Sequence, residues 1–140
     1  RNLMSCVFTE YHLFKTAYGL KSVPTEEVES LIDYLEMRGK VEYIDGQFST
    51  IDLSAGQKKR IALLISLMED RPIYIFDEWA ADQDPEFRRK FYHEILPNLK
   101  KQNKTVIAIT HDDRYFDCAD TLIRINEGKI ESITGGTDHV

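Results

Sequence analysis

Apolar residues along this chain recur with two different periods, and the switches between them mark the elements. Residues 3–8, Leu-Met-Ser-Cys-Val-Phe, form a short apolar run that predicts a buried strand. Residues 9–22 carry aromatics, Gly19 and Lys21 without a firm period and read as a loop. Helical spacing starts at Thr25, which can cap a helix with Glu26 and Glu27 in its first turn and Val28, Leu31, Ile32 and Leu35 as its stripe. Gly39 is placed to end it. Residues 41–53 are extended or loop-like, with Asp45-Gly46 as a turn.

A second helix is predicted from about residue 56 to residue 69, with Ile61, Leu64, Ile65 and Met68 on one face and Asp70-Arg71-Pro72 as its stop. Ile73 to Phe76 is a continuous apolar run, the pattern of a central parallel strand covered on both faces, and it ends at two carboxylates. Asp84 can cap, and Pro85 can open, a helix striped by Phe87, Phe91, Ile95 and Leu96, which Pro97 bends or ends near Lys101. Residues 105–110 predict a second buried strand that delivers His111 to its C-terminal end. A brief helix over 113–118, a hairpin of residues 121–125 and 129–133 turning at Glu127-Gly128, and a frayed tail from residue 134 complete the reading. Strands alternating with helices predict an α/β sandwich, with no internal repeat.

Composition narrows the function. At 140 residues and 42% hydrophobic, the chain is the size of one ordinary domain with a real core. A net charge of −6 disfavours nucleic acid or an anionic membrane as a partner, and the one basic run, Lys58 to Arg60, is too short to reverse that. Lys58 to Arg60 is left open between a source of positive potential and a solvated helix face. Cys6 and Cys118 have no CxxC spacing or companion histidines, which speaks against zinc or a disulfide framework. No apolar run approaches the ~20 residues needed to span a bilayer, so no direct membrane insertion is expected and the chain itself is expected to be soluble. It starts mid-pattern without a methionine, which suggests a piece of a longer polypeptide.

The candidate chemistry lies at two places. Leu53-Ser54-Ala55-Gly56-Gln57 has the form of an anion-binding helix start, because backbone N–H groups and the positive helix end can point together at a phosphate. A side chain at Gly56 is expected to crowd that phosphate; the lesser alternative is that Ser54 and Gly56 are only a helix cap. Asp77 and Glu78 are two carboxylates at the C-terminal end of a buried strand, where open α/β sheets bind ligands. They could instead be a solvated acidic pair. His12, His93 and His139 share no ligand spacing with His111.

Leu53-Ser54-Ala55-Gly56-Gln57 followed by Ile73-Tyr74-Ile75-Phe76-Asp77-Glu78 resembles the signature motif and Walker B strand of ATP-binding-cassette (ABC) ATPases. The resemblance covers roughly residues 4–133 and implies a partial P-loop NTPase core, mostly parallel sheet flanked by helices, with a small helical subdomain near the N-terminus. It divides the chain into residues 1–55 (Q-loop and helical subdomain), 56–134 (Walker B and H-loop part of the core) and a tail, 135–140. It further implies ATP and Mg²⁺ as cofactors, Asp77 as metal ligand, Glu78 as the base on the attacking water and His111 as a γ-phosphate sensor. Asp84 resembles the D-loop aspartate that crosses a dimer interface, a role compatible with its capping the next helix.

Asp77-Glu78-Trp79-Ala80-Ala81-Asp82-Gln83-Asp84-Pro85 and the stretch His111-Asp112-Asp113-Arg114-Tyr115-Phe116 are similar to the bacterial cyclic-peptide exporter branch. That branch implies a homodimer, a transmembrane domain on the same polypeptide and a place on the cytoplasmic face of the bacterial inner membrane. Trp79 departs from the wider family and marks the branch, and the chain departs from the family in two further places. Thr9 stands where the Q-loop has its glutamine, so Thr9 or Glu10 takes that role, and no GxxxxGK[ST] P-loop occurs. Two rivals remain in view: an ABC ATPase of DNA repair or chromosome structure, and a non-catalytic dimerisation module. The first needs sustained heptads ahead of the signature, which residues 1–52 lack.

Overall fold

The computed structural model describes residues 3–7 and 23–135. In chain order the elements are β1 (Met4–Val7), α1 (Thr25–Tyr34), β2 (Tyr43–Ile44), β3 (Gln47–Phe48), α2 (Ala55–Glu69), β4 (Ile73–Asp77), α3 (Pro85–Lys90), α4 (Leu96–Lys101), β5 (Thr105–Ile109), β6 (Thr121–Asn126) and β7 (Lys129–Gly135). A 3-10 turn, Trp79–Asp82, follows β4, and the brief helix expected over Asp113–Cys118 is present as a 3-10 helix. The chain divides into two compact units, Arg1–Thr110 and His111–Val140.

The first unit is built on a parallel sheet ordered β1-β4-β5. Met4 pairs with Ile73 on one side of β4, and Thr105 pairs with Ile73 on the other. Helix α2 packs on β1, where the Ser5 hydroxyl lies 2.9 Å from Ser66 Oγ and 3.1 Å from a Glu69 carboxylate oxygen. The core behind the sheet is aromatic. Tyr74 and Phe76 point into it from β4, and Phe76 meets Phe91 edge to face at 5.2 Å while Trp79 stacks on Phe91 at 4.4 Å.

The strands form where expected, but their burial differs from the expectation. On β4, Tyr74 and Phe76 are buried, whereas Ile73, Ile75 and Asp77 on the opposite face are only partly covered. Strand β5 is not a buried strand: Ile107 is 48% and Ile109 52% exposed, and among the described residues β5 is the sheet edge, with α4 packed on it.

Helix ends differ for local reasons. Thr25 is the first residue of α1 rather than its cap; Pro24 takes the cap position, and its carbonyl accepts from the N–H groups of Glu27 and Val28. The helix stops at Tyr34, five residues before Gly39. Glu36 enters the left-handed region at φ 58° and Met37 donates its N–H to Ile32 O, because buried Met37 and Val41 draw the chain back onto the core. The Asp45-Gly46 turn joins β2 to β3 as a short hairpin.

The helix carrying Pro97 ends at Lys101, as expected. A π-helical turn, Phe91–Ile95, precedes the proline. Proline has no N–H for the carbonyl four residues back, and a widened turn takes up that loss. In the second unit β6 and β7 form the expected hairpin through Glu127-Gly128, with both turn residues at positive φ. Thr134 and Gly135, expected in the tail, belong to β7: Gly135 packs against the carbonyl of Asp120, where no side chain fits.

Candidate functional site

Strand β4 ends in a backbone reversal that fixes its two carboxylates. Asp77 closes the strand half-buried, and Glu78 adopts the left-handed conformation, φ 49° and ψ 30°. A residue with a Cβ is disfavoured there by about 1–2 kcal/mol, so its surroundings must hold it. The Glu78 N–H donates to Ile109 O on β5 at 3.0 Å, and the Glu78 carbonyl accepts from Lys59 Nζ at 2.9 Å.

Helix α2 brings Lys59 there, and its start is locked by a capping box. Ser54 Oγ accepts the Gln57 N–H at 3.2 Å, and Gln57 Oε1 accepts the Ser54 N–H at 3.0 Å. The hydroxyl of Ser54 and the amide of Gln57 are thus engaged within the helix start, which leaves the N–H groups of Ala55 and Gly56 as its outward donors. Gly56 is required by packing. A Cβ there would stand 2.5 Å from Asp82 O and 3.6 Å from Gln83 Nε2. The crowding expected against a phosphate therefore falls first on the protein's own backbone.

Two members of the basic run, Lys59 and Arg60, are not a solvated helix face. Lys59 is 3% exposed and pairs with Asp82 Oδ2 at 2.7 Å in addition to Glu78 O. Arg60 lies 3.6 Å over the Phe87 ring, donates to Gln83 Oε1 at 2.9 Å and pairs with Asp84 Oδ2 at 2.6 Å. Gln83, 4% exposed, returns a hydrogen bond to Gly56 O at 3.0 Å, and the Trp79 indole N–H donates to Lys59 O at 3.0 Å. These groups bind the first two turns of α2 to residues 78–84, so these two side chains work as internal fasteners.

Asp84 caps α3, with Oδ1 accepting the Phe87 N–H at 2.9 Å. That N–H, with Arg60 beside it, holds the Asp84 carboxyl below the usual carboxylate range against the opposing effect of partial burial.

Ser54, Gly56, Gln57, Glu78 and Asp84 are thus tied through Lys59, Arg60 and Gln83 within the first unit. His111 stands two residues beyond β5, exposed, at the head of the second unit. Thr9 and Glu10 lie outside the described residues. Lys59, Arg60 and Gln83 were not picked out from the sequence as site residues. Lys59 did leave a signal, since Lys59, Ala62, Leu63 and Ser66 fall at helical spacing and all four are buried.

Among the described residues no three His, Cys, Asp or Glu side chains gather to hold a metal ion. A single strand-end carboxylate such as Asp77 suits Mg²⁺, which keeps most of its shell as water and phosphate oxygens. No helix of the described residues is long and apolar enough to cross a membrane.

Residues 1–81 match the family described as ABC transporter. The chain is 47% identical over 136 residues to the ATP-binding protein SyrD of Pseudomonas syringae pv. syringae, covering 94% of this chain and 24% of that protein. It is 38% identical to the energy-coupling factor transporter ATP-binding protein EcfA2 of Mycoplasmoides gallisepticum, covering 99% of this chain and 46% of that one. The macrolide export ATP-binding/permease protein MacB of Bartonella henselae is 28% identical over 93% of this chain and 21% of its own length. The chain thus spans less than half the length of these relatives. Among solved structures, a bacterial Atm1-family ABC exporter with ATP bound superposes with a TM-score of 0.76 at 21% identity, over 95% of this chain and 25% of that one. That likeness carries the fold.

Proposed function

Because the chain belongs to the ABC transporter family, we propose that it is the ATP-hydrolysing portion of an exporter, with cyclic peptides or siderophore-type peptides as the exported class. One observation carries the reading. The helix start at Ser54 and the strand end at Glu78 are joined by the Lys59 ammonium on the Glu78 carbonyl, so signature and Walker B form one device. Kinship to proteins named for ATP binding and macrolide export supports it. The peptide class rests on Trp79 and the residues around it.

In this reading Glu78 takes the proton of the attacking water, and Asp77 supplies the carboxylate for Mg²⁺. When bound, Mg²⁺ neutralises charge on the transferring phosphoryl group. The outward N–H groups of Ala55 and Gly56, at the positive end of α2, face a γ-phosphate held by a second copy of the domain. Leu53, Ser54 and Gln57 hold that helix start in shape, and Asp84 belongs to the loop that crosses between the two copies. His111 senses the γ-phosphate, and Thr9 or Glu10 serves the Q-loop. The working assembly is a homodimer on the cytoplasmic face of the bacterial inner membrane, coupled to a transmembrane domain on the same polypeptide. The functional division is residues 1–55, 56–134 and 135–140.

These 140 residues contain no GxxxxGK[ST], so the chain alone is expected to bind ATP weakly and not to turn it over. Glu78→Gln in the full-length protein should trap bound ATP and sharply slow turnover, leaving a residual rate. Hydrolysis at the wild-type rate in that variant would remove the assigned role. An ATP titration comparing this chain with the full-length protein separates the catalytic reading from a dimerisation module, since only the former requires tight nucleotide binding by the whole.

A further inference from the structure

We infer that Lys59 is a positioning residue for hydrolysis, holding the Glu78 peptide in the conformation that presents the Glu78 carboxylate and linking it rigidly to the Ser54 helix start. The inference rests on the reading of Glu78 as the base.

Residue 59 brackets residue 78 from two directions. Its ammonium donates to the Glu78 carbonyl at 2.9 Å, and its own carbonyl accepts the indole N–H of Trp79, the next residue, at 3.0 Å. The third restraint is the Glu78 N–H on Ile109 O. Together they over-determine a left-handed residue that the backbone alone disfavours. Burying an ammonium is costly unless it is fully engaged, and Lys59 lies on the same helix face as buried Ala62, Leu63 and Ser66, where an apolar side chain would pack more cheaply. Its ion-pair partner, Asp82, is 45% exposed and needs no buried cation to be satisfied. The Glu78 carbonyl accepts the Ala81 N–H of its own turn at 3.3 Å, and the Lys59 ammonium, at 2.9 Å, is the donor that ties it to α2.

The capping box and the Gly56 contact with Asp82 O fix where Lys59 emerges from α2. A shift of the Ser54 helix start is therefore passed to the Glu78 peptide by the Lys59 side chain, alongside the Trp79 and Gln83 bonds to α2. This gives the γ-phosphate clamp of one copy a direct mechanical hold on the base of the same copy.

The test measures kcat and KM for ATP in the full-length protein carrying Lys59→Met, Glu78→Gln, both together, or Asp82→Asn. Lys59→Met is expected to lower kcat tenfold or more at unchanged KM and to add nothing to Glu78→Gln. Asp82→Asn, which keeps the Lys59 bond to Glu78 O, should lose less than threefold. A Lys59→Met variant as active as wild type overturns the inference, as does an effect confined to KM or an equal further loss in the Glu78→Gln background. Should Lys59→Met not fold, Trp79→Phe keeps the ammonium but releases the second side of the bracket. It is expected to lower kcat two- to fivefold at unchanged KM, and an unchanged kcat overturns the inference. Wild-type turnover by Glu78→Gln would instead sink the assignment of the base.

Discussion

Gly56→Ala separates two opposed effects whose sizes follow from the structure. Within a helix, alanine is favoured over glycine by about 1 kcal/mol. Here the added Cβ would stand 2.5 Å from Asp82 O and 3.5 Å from Asp82 C. Carbon needs well over 3 Å from an oxygen, so the 3-10 turn or the helix start must move by most of an ångström. That turn cannot yield freely, because Lys59, Trp79 and Gln83 bind it to α2. Overpacking of this kind costs about 1–3 kcal/mol, and the Gln83 bond to Gly56 O adds about 1 kcal/mol if it is lost. The net expectation is destabilisation of about 2 kcal/mol relative to wild type. Urea unfolding followed by circular dichroism measures it, read from the midpoint at constant slope. A variant more stable than wild type by the helix-propensity increment would refute the contact. The same contact means that Gly56→Asp cannot report on phosphate charge unless Gly56→Ala is measured beside it.

Other expectations are open to the same kind of measurement. Asp84→Ala removes the cap of α3 and should cost about 1 kcal/mol at neutral pH. Because the Asp84 carboxyl is held below its ordinary value, its charge-dependent contribution is present above the unfolded pKa, ~3.9, and fades as pH falls through the lower folded value. The gap between wild type and Asp84→Asn should therefore narrow as pH falls below ~3.9, and a gap that widens on acidification would contradict the assignment. Arg60→Lys keeps the charge but gives up the planar group over Phe87 and the paired reach to Gln83 and Asp84. It should lose roughly 1–2 kcal/mol, and a thermal midpoint equal to wild type would show the stack to be idle.

Much of this was legible in the sequence because it is local. Asp84-Pro85 declares its helix through a cap and a fixed φ, and Glu127-Gly128 declares its hairpin through two positive φ angles. Ser54 declares a helix start, and Asp77-Glu78 a strand end. The fasteners were hidden because their partners lie 19 to 27 residues away. A Lys-Lys-Arg run looks like a wet helix face until a carbonyl at Glu78 and a carboxylate at Asp82 are brought beneath it. Glu36 was hidden for a related reason, since a left-handed glutamate is chosen by the burial of Met37 and not by its own preference. Residues 105–109 misled in the opposite direction. Their apolar run is real, but composition does not say which side of a strand its neighbours cover.

The widened turn at Phe91–Ile95 has a consequence for how this chain tolerates changes in length. Deleting one residue within it would rotate everything downstream by roughly 100° about the helix axis. Leu99 would swing off the core, and α4 would no longer hand the chain to β5 in step with β4. The segment from Pro85 to Lys101 thus works as a spacer of set length, more forgiving of a changed side chain than of a missing one.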